Sequence, residues 1–147
     1  MKKQIIRKFL CAILICTCVI SSFAITSYAE EITPYYNNVH RVQSDVSISS
    51  TGLMTVFNSF SGDTSVFSKA VITTCIEKRV LGIFWSKVDI GQTNDEWVDT
   101  IYTNVYSGTH TFQLESKGTY KVTVEYVIYG SGGTADTITK EIEKSYS

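Results

Sequence analysis

Thr119-Tyr120-Lys121-Val122-Thr123-Val124-Glu125-Tyr126-Val127-Ile128-Tyr129 is the stretch that decides the fold. Tyr120, Val122, Val124, Tyr126 and Ile128 fall on one side of an extended backbone, and Lys121, Thr123 and Glu125 fall on the other. A helix, repeating every ~3.6 residues, would scatter those apolar side chains round its whole circumference. An extended strand gathers them on one face, so the segment reads as a strand with a buried side.

The same rhythm recurs in shorter pieces on either side, with glycines at the breaks. Val42 to Ser49 puts Val42, Ser44, Val46 and Ile48 on one face, and Thr51 with Gly52 turns the chain. Leu53 to Phe60 is apolar on both faces, which suits a central strand, and Ser61 to Ser68 reads as a polar loop. Val71 to Lys78 and Ile83 to Val88 read as a hairpin around Arg79 to Gly82. Trp97 to Tyr106 alternates as one continuous strand, with Trp97, Ile101 and Val105 opposing Val98, Tyr102 and Tyr106. A short strand follows at His110, Phe112 and Leu114. Thr134 to Ile142 alternates through Thr137, Thr139 and Glu141; Ile138, Ile142 and Tyr146 also fit helical spacing behind a cap at Asp136, and the strand reading is preferred. About seven or eight short strands with no convincing helix predict an all-β, antiparallel two-sheet sandwich, with a small barrel as the alternative.

The beginning of the chain reads differently. Lys2, Lys3, Arg7 and Lys8 precede an apolar run from Phe9 to Ile25, and Ser27 and Ala29 place small residues three and one positions before a cut ahead of Glu30. This is the pattern of a secretion signal cleaved after Ala29, with an uncleaved anchor as the alternative. Cys11, Cys16 and Cys18 follow Leu10, Ile15 and Thr17, which does not suit lipid attachment. The expected organisation is a signal peptide over 1–29, an N-terminal arm over 30–41 containing Pro34, and the β-domain over 42–147. After cleavage no stable membrane span is expected. With Pro34 as the sole proline there is no Leu-Pro-x-Thr-Gly sorting signal, so release outside the cell is expected.

Beyond Ala29 there are 9 basic and 14 acidic residues, a net charge of −5, which disfavours nucleic acid and anionic membranes as partners. Cys75 alone remains there, so no intramolecular disulfide can form; amid an apolar-biased run it reads as a small buried hydrophobe.

Motifs of catalysis are missing: no Gly-x-Ser-x-Gly elbow, no His-Glu-x-x-His, no phosphate-binding glycine loop and no Cys-x-x-Cys beyond the leader. His40 and His110 are the only histidines, and His110 reads as an ordinary strand residue. Asn94, Asp95, Glu96 and Asp99 offer oxygen ligands for calcium without the spacing or turn glycine of a calcium loop, so a solvated acidic loop is the preferred reading. No cofactor and no metal are expected. Val80 to Trp85 is the most apolar stretch beyond the leader; an interior strand is the preferred reading over a membrane-touching hairpin tip. Trp97, Tyr102 and Tyr106 are the candidate contact residues, forming an exposed aromatic face suited to a protein or glycan.

Lys117-Gly118-Thr119-Tyr120-Lys121-Val122 resembles the Gly-x-Tyr-x-hydrophobic signature of the penultimate strand in immunoglobulin-like and fibronectin-III-like sandwiches. The resemblance implies that Tyr120 is a tyrosine corner. Ser116 stands where immunoglobulins commonly carry aspartate, Val122 replaces the cysteine, and neither Trp85 nor Trp97 has a cysteine partner, all departures from a true immunoglobulin domain. The wider layout, with Phe-Trp-Ser-Lys-Val at 84–88 and the closing Gly-Thr-Tyr strand, is similar to an uncharacterised family of small secreted Firmicute proteins. That likeness implies a secreted β-sandwich of a Gram-positive bacterium and supplies no activity. The expected function is a non-enzymatic, secreted binding module for a protein, cell-envelope or glycan partner. The alternatives are a membrane-active or toxin-like effector and an enzyme without a recognisable motif.

Overall fold

The computed structural model describes residues 36–147. The expected signal, its cleavage after Ala29 and the first residues of the expected arm lie outside the described residues. Eight strands follow: β1 (Val39–Ile48), β2 (Leu53–Gly62), β3 (Phe67–Val80), β4 (Phe84–Lys87), β5 (Glu96–Ile101), β6 (Val105–Gln113), β7 (Gly118–Gly130) and β8 (Asp136–Tyr146), with one 3-10 turn at Thr93–Asp95. They form two antiparallel sheets, a three-stranded one in the order β1-β2-β6 and a five-stranded one in the order β4-β3-β7-β8 with β5 also on β3. Because β7 occupies one edge of β3, β4 and β5 lie end to end along the other, against Glu77–Val80 and Ala70–Cys75.

β7 is the spine of the larger sheet. Its alternating side chains Tyr120, Val122, Val124, Tyr126 and Ile128 are all buried, and they meet Met54, Val56 and Phe60 of β2, Val46 of β1 and Ala70, Ile72 and Ile76 of β3 in one core. Each such aliphatic side chain contributes about 1.5–3 kcal/mol by leaving water, which is why the two sheets must face one another. Three polar groups cross this core. Asn58 Nδ2 donates to Thr74 Oγ1 at 3.1 Å, and Tyr126 Oη donates to the Gln43 carbonyl at 2.8 Å while sharing a 2.8 Å bond with Ser44 Oγ. Among the described residues no buried side-chain polar atom lacks a partner, as the cost of an unpaired buried group requires.

Several expectations change in detail. β1 begins at Val39, inside the segment read as an arm, because the Asn37 and Asn38 amides donate to the two oxygens of the buried Asp136 carboxylate at 2.9 and 2.6 Å. Gly130 and Gly132 make room for this tie: a Cβ at either would collide with the Val66 or Asn37 carbonyl. The polar loop shrinks to Asp63–Val66, with β3 starting at Phe67. The final segment is a strand, paired with β7 along its whole length. Trp97 to Tyr106 is not one strand. The chain leaves β5 after Ile101 and enters β6 at Val105 in the opposite sheet, so the odd-numbered Trp97, Asp99 and Ile101 are the less exposed side of β5 and the even-numbered Tyr106, His110 and Phe112 that of β6. A change of sheet resets which parity faces inward, and the sequence alternation runs through it unbroken.

Candidate functional site

The β3–β4 hairpin carries the most distinctive surface. β7 accompanies β3 only as far as Lys78, opposite Tyr120, so the hairpin end projects past its neighbour. Val80 pairs with Phe84, and the Ile83 amide donates to the Val80 carbonyl at 3.2 Å across Leu81 (φ 52) and Gly82 (φ 75). Positive φ at both central residues is the signature of a type I′ turn, which favours Asn-Gly. Gly82 fits; Leu81 places a Cβ where left-handed backbone costs roughly 1–2 kcal/mol. Its side chain gains no burial in return: Leu81 is 84% exposed, Ile83 73%, Phe84 62% and Val80 41%. The interior-strand reading of Val80 to Trp85 is therefore corrected, since among the described residues no layer covers the hairpin beyond Lys78.

The stem of the hairpin is stiffened from outside the sheet. Trp85 lies near two cations, with the Arg79 guanidinium 4.6 Å and the Lys121 ammonium 4.9 Å from the centre of its ring. Glu143, Lys121, Glu77 and Lys87 stand opposite one another across β8, β7, β3 and β4, an alternating row of charge that penalises any slip in register. Lys121 meets Glu77 at 2.6 Å, Lys87 meets Glu96 at 2.8 Å and Arg79 meets Glu143 at 3.1 Å. The hydrogen bonds to Glu96 and Glu77 raise the pKa of Lys87 and Lys121 and keep both charged.

Behind the exposed tip lies a groove of about 240 Å³ with an apolar floor of Val88, Phe112, Leu114 and Tyr120. Lys78 crosses its rim, donating to Ser116 Oγ at 2.6 Å with no carboxylate against it among the described residues. Tyr120 Oη donates to the Ser116 carbonyl at 2.5 Å, which pins the turn leading into β7 and shapes one wall of the groove. Val80 belongs to both tip and groove, so the two form one continuous surface.

The expected aromatic face does not assemble as one surface. Tyr102, on the crossing between the sheets, is 74% exposed. Trp97 and Tyr106 are half-buried on opposite strands and converge on Asp99 instead. His110 Nε2 bonds Asp99 Oδ2 at 2.7 Å, Trp97 stacks on the His110 ring at 4.8 Å, and Tyr106 Oη donates a long 3.4 Å bond to the same carboxylate oxygen. Burial, with the Asp99 charge next, pushes the Tyr106 phenol up and keeps it protonated. Gly108 permits this, because a Cβ there would overlap the Tyr106 ring. A carboxylate-oriented imidazole is acid–base machinery in principle. Here no hydroxyl or thiol among the described residues hydrogen-bonds His110, and Trp97 covers its ring. The cluster clamps the edge of one sheet to the edge of the other. The signal for it was present in sequence: Asp99 and His110 are polar residues in inward positions of their strands.

The remaining candidates separate. Asp95 ends the 3-10 turn, Glu96 turns to Lys87 and Asp99 turns to His110, and no group of metal-ligating side chains exists among the described residues. Cys75 is on the outer face of β3, only half-buried, where desolvation, followed by the charge of Glu77, pushes its thiol up. A protonated thiol is a poor nucleophile. No family model matches this chain, and no curated protein matches it.

Proposed function

We propose that the chain is a secreted, non-enzymatic binding module of the immunoglobulin or fibronectin-III type, which grips a protein or cell-envelope partner with the end of its β3–β4 hairpin. The observation that carries the reading is the unburied row Val80, Leu81, Ile83 and Phe84, held on a turn whose backbone disfavours leucine. Contiguous exposed apolar side chains on a rigid support mark contact surfaces, and the groove beside them offers room for a partner side chain. The family reading is supported by the strand order. With β1, β2 and β6 as strands A, B and E, and β3, β7 and β8 as C, F and G, β4 takes the place of C′. The Tyr120 to Ser116 bond at the start of β7 supports it further.

A membrane-active effector is the second reading, favoured by the exposure of Leu81, Ile83 and Phe84. One experiment separates the two. The purified protein is mixed with cell-wall sacculi and, separately, with dye-loaded phosphatidylcholine–phosphatidylglycerol vesicles, alongside a Leu81→Ser/Phe84→Ser variant. The binding module is retained on sacculi, leaves the dye inside the vesicles, and loses about tenfold or more of its retention in the variant. Dye release lost in the variant establishes the membrane reading instead, and retention equal in wild type and variant removes the hairpin from the function.

A further inference from the structure

Among the described residues, every free sheet edge but one carries the features that discourage strand pairing. β8 has Lys140, Glu141, Glu143 and Lys144. β1 carries His40, Arg41 and Asp45 and breaks register between Val39 and Arg41. β4 is four residues long with Lys87, and β5 carries Glu96 and Asp99. β6 is nine residues, Val-Tyr-Ser-Gly-Thr-His-Thr-Phe-Gln, with no Lys, Arg, Asp, Glu or Pro, and its register against β2 is unbroken from end to end.

The direction of its backbone groups follows from two bonds at the ends of that register. The Gly62 amide donates to the Asn104 carbonyl at 2.6 Å and the Leu114 amide donates to the Gly52 carbonyl at 2.9 Å. Both pairs lie in the same register as Val56 with His110, so the even-numbered residues of β6 spend their amides and carbonyls on β2. Those of Val105, Ser107, Thr109, Thr111 and Gln113 point away from the sheet, and among the described residues only Thr103 Oγ1, on the Val105 carbonyl, reaches them.

We propose that this edge pairs with the same edge of a second copy, antiparallel about a two-fold axis at Thr109, joining two three-stranded sheets into one of six. The choice of partner comes from the self-complementarity of β6. About that axis Thr109 meets Thr109, Ser107 meets Thr111 and Val105 meets Gln113, all through the outward-pointing backbone groups, and the first two pairs match hydroxyl with hydroxyl. On the inward side Tyr106 meets Phe112, an aromatic pair, and Gly108 meets His110. No like charges oppose one another, because the strand has none. An unrelated extended peptide would be held by the same backbone groups without this matching.

The test is the mass of the purified protein by light scattering, with Thr109→Lys and Thr109→Glu variants. Thr109 is exposed on the outer face, so neither change touches the core. Wild type is expected to run at twice the monomer mass. Each variant alone, with like charges facing across the axis, is expected to run as a monomer, and an equal mixture of the two is expected to restore the dimer. In wild type the amides of Ser107, Thr109 and Thr111 are expected to gain about tenfold or more hydrogen-exchange protection as protein concentration rises, with His110 unchanged. This second measurement stands even if a variant fails to fold. A monomeric wild type overturns the proposal. So does a dimer that survives in both variants, and so does protection of those three amides that is independent of concentration, which would place a strand of the same chain on the edge.

Discussion

The Tyr126 hydroxyl sits between the two sheets, bonded to the Gln43 carbonyl and Ser44 of β1 and within 3.4 Å of Asn58 Oδ1 on β2. Tyr126→Phe keeps the ring and deletes the oxygen, leaving the part-buried Gln43 carbonyl and the buried Asn58 Oδ1 each short of a partner. We expect it to cost about 1–2 kcal/mol, read as a lowered urea midpoint with an unchanged slope. The same residue sets a pH response. Burial, the largest influence on it, raises the Tyr126 phenol above its ordinary value of 10.0. The unfolded chain therefore gives up this proton at a lower pH than the folded one. Stability from this group is complete below the ordinary tyrosine value and falls as pH climbs from there through the raised one, since the native state then binds more protons than the unfolded state. Urea midpoints taken across that alkaline range should fall less steeply in Tyr126→Phe than in wild type, and equal slopes would remove Tyr126 from the effect. The inward direction of Tyr126 was legible from its place in the alternation of β7. Its partners were not, because Ser44 lies 82 residues away and nothing local points to it.

Turns decide how the elements are used. At the β3–β4 tip, Leu81→Asn substitutes the residue a left-handed turn position prefers, ahead of Gly82. A gain of about 0.5–1 kcal/mol in unfolding free energy is expected, together with weaker retention on sacculi. A substitution that stabilises the fold and weakens binding marks a residue kept for contact; a loss of stability would mean that Leu81 packs against something and that the turn is not strained. At this scale β7, the hairpin itself and the strand nature of β8 could be read from alternation and glycine positions. The exposure of the hairpin could not, because apolar content announces burial and the end of the β7 ladder at Tyr120 is a property of pairing. The division of Trp97 to Tyr106 was hidden for a similar reason. Alternation records that side chains take turns, and only the crossing at Tyr102–Asn104 determines which turn faces the core, so Trp97 and Tyr106 became the walls of one clamp while Tyr102 was left outside.

For the molecule as a whole, two sheets could be expected from strand number and spacing, but their unequal division into three and five strands depends on pairings between distant segments. That division has a thermodynamic consequence. The smaller sheet turns Val46, Met54, Val56 and Phe60 toward the larger sheet and a largely hydroxyl-bearing surface, including Ser47, Thr55, Ser59, Thr109 and Thr111, toward water. Among the described residues it has no second layer of its own, and its buried Asn58 and the backbone carbonyl of Gln43 are satisfied by Thr74 and Tyr126 across the interface. Separated from β3 and β7 it would expose its whole apolar face and strand those groups, so it should not persist once the larger sheet melts, nor melt before it. Trp85 on β4 belongs to the larger sheet, whereas the Trp97 ring stacks on His110 of the smaller one, so in a Trp97→Phe background tryptophan fluorescence follows the larger sheet alone while far-ultraviolet circular dichroism follows both. In urea the two signals are expected to change together in one transition, as a two-state unit requires, and reductant should leave the midpoint unmoved because Cys75 is the single cysteine among the described residues. A dichroism change that precedes the fluorescence change would show that β1, β2 and β6 unfold on their own, and that the contacts between the sheets are too weak to make the sandwich one cooperative body.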